Sequence, residues 1–136
     1  MNIEYSEFYL RDILNEVTTI AVVGASSKKH RDSYKVMESL IENGYKVFPI
    51  NPNESGKNIL NLECLPNLDA VKENIDMVDI FRKNDAVMDI AKDAIKIGAK
   101  VLWMQEGIVH HEAANLATSA GLRVVMDRCP KKELIK

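Results

Sequence analysis

Cysteine is scarce: two residues, Cys64 and Cys129, far apart and with no CxxC pair, in a chain of 136. That excludes a disulfide-stapled scaffold and a cysteine-built zinc module. Long apolar runs are missing too. Stretches such as Ile20-Ala21-Val22-Val23 fall far short of the ~20 residues that cross a bilayer, so no membrane span is expected. The first dozen positions carry Glu4, Glu7, Arg11 and Asp12, unlike the basic start and apolar stretch of a signal peptide. Both thiols are therefore expected to be free, in a reducing cytoplasm. Neither sign of charge dominates. Eighteen Lys and Arg against twenty Asp and Glu leave −2, which argues against a globally basic nucleic-acid binder and leaves a local basic patch open. Six glycines, four prolines and no repeat exclude a collagen-like or low-complexity chain.

What is present is ordinary globular material, 46% apolar and 28% charged. The length implies one domain, residues 1–136, with no second domain to close over a substrate. Ser6 is placed to cap a helix within residues 1–17 whose Leu10, Ile13, Leu14 and Val17 form a stripe that packs on the rest. Residues 19–23 read as a first strand buried on both faces, ended by Gly24. A polar loop leads to a helix from about Ser33, with Val36, Met37, Leu40 and Ile41 inward and Asn43-Gly44 as its stop. Further strands are predicted at residues 45–50, 77–81, 101–104 and 122–126. Between the second and third, residues 51–56 are turn chemistry, Asn58-Ile59-Leu60 is a candidate short strand, and Asn67 caps a short helix. Asn84 is expected to cap a helix ended by Gly98, and another, residues 111–119, ends at Gly121.

Helices between successive apolar strands predict an α/β fold: a Rossmann-like, doubly wound, five-stranded parallel sheet with helices on both faces. The expected strand order is 3-2-1-4-5, in which Pro49 sits awkwardly, because a central strand has no use for a missing N–H. Ligands of such sheets bind at the carboxyl ends of the strands. Those ends carry Gly24, Ala25, Ser26 and Ser27 followed by Lys28, Lys29, His30 and Arg31; then Asn51, Pro52 and Asn53; then Phe81 and Arg82; then Gln105, Glu106 and Gly107; then Asp127, Arg128 and Cys129. Gly24 permits a tight turn, the small residues let an anion approach the main chain, and Lys28 and Arg31 add charge at a helix N-terminus. This is a degenerate form of G-x-G-x-x-G, with Ser26 and Lys29 at its second and third glycines. No carboxylate appears at Phe48-Pro49-Ile50-Asn51-Pro52, where NAD-binding domains place one for the ribose diol, so NAD is disfavoured. Asn51 suits a ribose or base, or simply a turn before proline. Phe81 suits an adenine face or core packing, and Arg82 suits a phosphate.

The strings Val22-Val23-Gly24-Ala25-Ser26, Arg31-Asp32-Ser33-Tyr34, Pro49-Ile50-Asn51-Pro52, Val78-Asp79-Ile80-Phe81-Arg82, Lys100-Val101-Leu102-Trp103-Met104-Gln105 and Asp127-Arg128-Cys129-Pro130 resemble the small stand-alone CoA-binding proteins of bacteria. The resemblance spans about residues 17–130. It implies a Rossmann-like fold similar to the CoA-binding domain of the succinyl-CoA synthetase α subunit, with coenzyme A or an acyl-CoA as ligand. By resemblance, Gly24, Ala25, Ser26 and Ser27 hold the pyrophosphate, Asn51, Pro52 and Asn53 line the adenosine, and Ile80, Phe81 and Arg82 touch the nucleotide. Lys28, Arg31 and Arg82 supply the cations that a pyrophosphate and a 3′-phosphate require. The turn at Glu106-Gly107, beside Gln105, is placed to admit the pantetheine arm. That synthetase subunit continues into a domain with a phosphorylated histidine. His30, His110 and His111 occupy no such place, so ligase activity is not carried over.

No catalytic set emerges from spacing, and adjacent His110 and His111 point to different sides of a helix, so no metal site is expected. A binding module is thus favoured over an enzyme. The alternatives are an NADP-linked redox sensor, its 2′-phosphate on Lys28, Lys29 and Arg31, and a thioester-handling enzyme using Cys129, whose neighbour Arg128 would favour a thiolate. An inert loop cysteine explains Cys129 as well. Monomer and homodimer, the acyl group and any protein partner stay open.

Overall fold

The apolar strands are apolar because helices cover both of their faces. The computed structural model describes residues 3–136; positions 1 and 2 of the expected 1–136 unit lie outside the described residues. In chain order come α1 (Glu7–Glu16), β1 (Thr19–Val23), α2 (Asp32–Glu42), β2 (Lys46–Ile50), the hairpin strands β3 (Asn58–Ile59) and β4 (Leu62–Glu63), β5 (Met77–Ile80), α3 (Asn84–Lys96), β6 (Val101–Met104), α4 (His111–Ser119), β7 (Arg123–Val125) and α5 (Pro130–Leu134). Short 3-10 turns lie at Pro52–Glu54 and Leu68–Ala70. Side chains alternate across the sheet. Ile20, Val22, Met77, Val101 and Trp103 meet Leu10, Ile13 and Leu14 of α1 and Val36, Met37 and Leu40 of α2. Ala21, Val23, Val78, Ile80, Leu102 and Met104 meet Val87, Ala91 and Ala94 of α3 and Ala113 and Ala117 of α4.

The five sheet strands are parallel, as expected for a doubly wound α/β fold, in the order β2-β1-β5-β6-β7. Counting sheet strands alone, this is 2-1-3-4-5, whereas 3-2-1-4-5 was expected. The third strand lies on the far side of β1, not outside β2. The physical reason is on the outer edge of β2, which is already taken. Leu65, just after β4, donates to the Pro49 carbonyl at 2.9 Å, and Asn51 N–H donates to the Leu65 carbonyl at 2.9 Å. Pro49 is thereby explained. Its carbonyl faces the edge, so its nitrogen does too, and the missing N–H costs no ladder bond to β1.

Local signals mostly hold. Ser6 Oγ accepts from Tyr9 N–H at 3.0 Å and starts α1. Asn67 Oδ1 accepts from Ala70 N–H at 3.0 Å, but the turn that it caps is 3-10. Asn84 does not cap α3. Lys83 holds the cap position, and Asn84 instead donates to the Val109 carbonyl at 2.9 Å, tying α3 to the loop before α4. The α5 turn was not anticipated; Pro130 starts it. Both cysteines are free and buried, and among the described residues no helix is long and apolar enough to cross a membrane.

Candidate functional site

In a doubly wound sheet the chain leaves neighbouring strands in opposite directions at one point, and a crevice opens there. Here that point lies between β1 and β5. A cavity of about 720 Å³ occupies it, lined by Gly24, Ala25, Ser26, Lys28, Arg31, Asp32, Ser33, Asn51, Asn53, Glu54, Lys57, Phe81 and Arg82.

Gly24 is what lets β1 end there. Its φ is +94°, and a Cβ on it would stand 2.3 Å from the Phe81 carbonyl oxygen. Its N–H and that of Ala25 both reach the Ile50 carbonyl, at 2.9 and 3.2 Å, while Phe81 N–H donates to Val23 at 2.8 Å. The exit of β1 is thus pinned to the ends of both neighbours. Ala25 is fully buried, so it offers only its main chain, and its carbonyl accepts from Asn51 Nδ2 at 2.8 Å. Asn51 also caps the following 3-10 turn, its Oδ1 accepting from Asn53 N–H at 2.9 Å. One side chain therefore sets the loop after β1 against the loop after β2.

The loop between β1 and α2 is not an open row of donors. Ser27 N–H donates to Glu54 Oε2 at 2.8 Å, and the Ser27 hydroxyl donates to Glu54 Oε1 at 2.5 Å. Lys28 N–H is turned to Ser26 Oγ at 3.1 Å. The Ser27 hydroxyl, above all, holds the Glu54 carboxyl below the usual carboxylate range, and burial opposes it only in part. Lys57 stands 3.8 Å from the same carboxylate. Around the cavity are four cations, Lys28, Arg31, Lys57 and Arg82, against two carboxylates, Asp32 and Glu54. The cleft is cationic although the chain totals −2.

Nine of the expected residues meet here: Gly24, Ala25, Ser26, Lys28, Arg31, Asn51, Asn53, Phe81 and Arg82. Ser27 sits at the margin, committed to Glu54. Pro52 lines a separate hollow with Leu68 and Arg82. Ile80 is fully buried in the core beneath α3, so its side chain is not at the cavity. Gln105 lines a second cavity of about 450 Å³, which shares Asp32 with the lining of the first and is bounded by Lys35, Val36, Glu106, Cys129, Lys131, Lys132 and Ile135. Gln105 Oε1 is buried there with no partner. Gly107 lines neither cavity; its neighbour Glu106 does, and the Gly107 N–H is held by Asp127 Oδ1 at 2.7 Å. Cys129 is 5% exposed and stands at the start of α5.

Sequence reasoning passed over Asp32, Ser33, Glu54 and Lys57. Glu54 matters most, since it brings a carboxylate to the cavity from the turn after β2, just beyond residues 48–52, which carry none. Its signal was present, four residues past the end of β2, but spacing alone does not show which way a turn points. Among the described residues no group of three or more His, Cys, Asp or Glu forms a metal site. His110 instead caps α4, its Nδ1 accepting from Ala113 N–H at 3.0 Å.

A parallel sheet with helices on both faces and a crevice at its switch point defines a Rossmann-like class of domain. The chain belongs to the CoA-binding domain family, whose model matches residues 18–135. It is 31% identical over 126 residues to the uncharacterised Bacillus subtilis protein YneT, covering 93% of this chain and 92% of that one. It is 29% identical over 93 residues to an ADP-forming acetate–CoA ligase of Archaeoglobus fulgidus, covering 67% of this chain but only 13% of the ligase. A solved hypothetical protein from Pyrococcus horikoshii superposes with a TM-score of 0.90 at 37% identity, covering 98% of this chain and 96% of that one.

Proposed function

We propose that the protein binds coenzyme A or an acyl-CoA, with the nucleotide in the larger cavity and the pantetheine arm directed to the smaller one. The observation that carries this reading is the convergence of Lys28, Arg31, Lys57 and Arg82 on the crevice beside Gly24. A pyrophosphate with a further phosphate requires such a set, and membership of the CoA-binding domain family supports coenzyme A as the ligand. The arm carries amide groups, and Gln105 brings a polar side chain to the lining of the second cavity. Phe81, partly buried at the edge of the cleft, offers a ring to the adenine. This chain's residues would bind and orient the ligand.

Two observations keep other readings in the same experiment. Glu54, a carboxylate at the cleft in the turn after β2, would suit a free ribose diol, as in NAD. Cys129 at the smaller cavity favours acyl transfer from a bound thioester, its thiol proton passing to the departing CoA sulfur. Calorimetric titration with CoA, acetyl-CoA, NAD and NADP separates them. A ligand at 100 times its Kd should raise stability by ~2.7 kcal/mol. Saturable binding of CoA or acetyl-CoA is expected. Binding of NAD or NADP without either CoA species overturns the reading, and a mass increase of one acyl group at Cys129 shows the transfer.

A further inference from the structure

We infer that Glu54 is a specificity-determining residue of the cleft: its carboxylate occupies the donors of Ser27 in the place of a ligand phosphate, and so weakens the cleft for any ligand whose phosphate must seat there. The inference rests on the anion-binding reading of the cavity and adds which group opposes the anion.

The two oxygens of Glu54 take two donors of one residue, Ser27 N–H at 2.8 Å and Ser27 Oγ–H at 2.5 Å. That is the pairing a phosphate would make with the same loop. Three other main-chain donors at the exit of β1 are committed elsewhere. Gly24 and Ala25 bond to Ile50, and Lys28 bonds to Ser26 Oγ. Glu54 thus takes two further donors of this loop from an incoming anion, which is left with donors such as Ser26 N–H at the cavity. Nor is Glu54 a stray surface acid. Its side chain is 14% exposed, it belongs to the turn capped by Asn51, and Asn51 also ties that turn to the Ala25 carbonyl. A phosphate at Ser27 must displace the carboxylate or lie beside a like charge. At about 4 Å in a solvated cleft that repulsion is worth about a factor of five to ten in affinity. Lys57, 3.8 Å from Glu54, is the cation that a displaced carboxylate releases to the ligand.

The test compares the protein with Glu54→Gln and Glu54→Ala, titrated calorimetrically with CoA and with inorganic pyrophosphate at low and high salt. Both variants should bind both ligands about five- to tenfold more tightly, with the gain shrinking as salt screens the charge. Adding Ser27→Ala to Glu54→Ala should remove much of the gain, which a merely structural role for Glu54 would not predict. Thermal unfolding of each variant checks that the fold is kept. Unchanged or weaker binding of both ligands by both variants overturns the inference, as does absence of pyrophosphate and CoA binding throughout. If pyrophosphate binding tightens while CoA binds none of the proteins, the role of Glu54 stands and the CoA reading fails.

Discussion

Replacing Gly24 with alanine places a methyl carbon 2.3 Å from the Phe81 carbonyl oxygen and 2.9 Å from its carbon, at a residue whose φ is +94°. Two costs coincide there. An L side chain at positive φ is strained by about 1–2 kcal/mol. The overlap adds about 1–3 kcal/mol, in the range of overpacked sites, because the obstacle is backbone and cannot rotate away. Relief requires β1 and β5 to separate at their ends, where Phe81 N–H bonds to Val23 at 2.8 Å. Gly107 is the internal control. Its φ is +85°, but a Cβ there meets nothing within 4 Å, so Gly107→Ala carries only the strain. Denaturant unfolding followed by Trp103 reads both, since this single tryptophan is fully buried and its Nε1–H is held by the Arg128 carbonyl at 2.8 Å. Gly24→Ala should lose about 2–5 kcal/mol and Gly107→Ala about 1–2 kcal/mol. Equal losses, or a smaller loss at Gly24, would refute the view that close approach rather than φ alone requires glycine there.

Other outcomes follow from single groups. Asp79 is fully buried on β5 with neither oxygen partnered, and burial pushes its carboxyl well above the usual range. The folded chain then keeps a proton that the unfolded chain gives up above about pH 4, so Asp79 costs stability as pH rises from there. Asp79→Val should therefore be more stable at pH 8 by about 1–3 kcal/mol, with a smaller gain near pH 4.5; equal unfolding midpoints at pH 8 would show that the carboxyl has a partner. Asp76 behaves oppositely. Burial disfavours its charge, but Thr18 N–H at 2.8 Å, Thr18 Oγ1 at 3.0 Å, Thr19 N–H and Lys100 outweigh it and hold the carboxyl low. Its stabilisation is present above the unfolded value and is lost as pH falls through the folded one. Asp76→Asn should thus cost about 1–2 kcal/mol at pH 7, the difference closing toward pH 3 in a pH series of denaturation curves. Arg82→Ala, an exposed cation at the cleft, should weaken CoA binding about tenfold by calorimetry while leaving the unfolding midpoint in place. Unchanged affinity would remove Arg82 from the site.

Much of the site was legible because a parallel sheet gathers its strand ends at one edge, and strand ends can be found from short apolar runs. Gly24, Asn51 and Arg82 meet at one cavity for that reason. Ile80 shows the limit. It belongs to the same Ile80-Phe81-Arg82 string, but side chains alternate along a strand, and Ile80 faces the α3 core while Phe81 faces the cleft. Reading the string as a unit ignored that alternation.

The amino-acid order by itself determined the class of fold, through doubly apolar strands separated by helical stripes, and it determined where the glycine-ended loop after the first strand would lie. Strand order was decided only in three dimensions. Pro49 sat awkwardly in a central second strand, but that β2 is the outer strand depended on residue 65 folding back to pair with it, a contact between segments with no shared periodicity. Glu54 was decided there too. A carboxylate four residues past a strand can face water or the neighbouring loop, and here Asn51, bonded at once to its own turn and to Ala25, turns it onto Ser27. Local propensity sets the elements, while the sign of the charge presented to a ligand depends on which elements become neighbours.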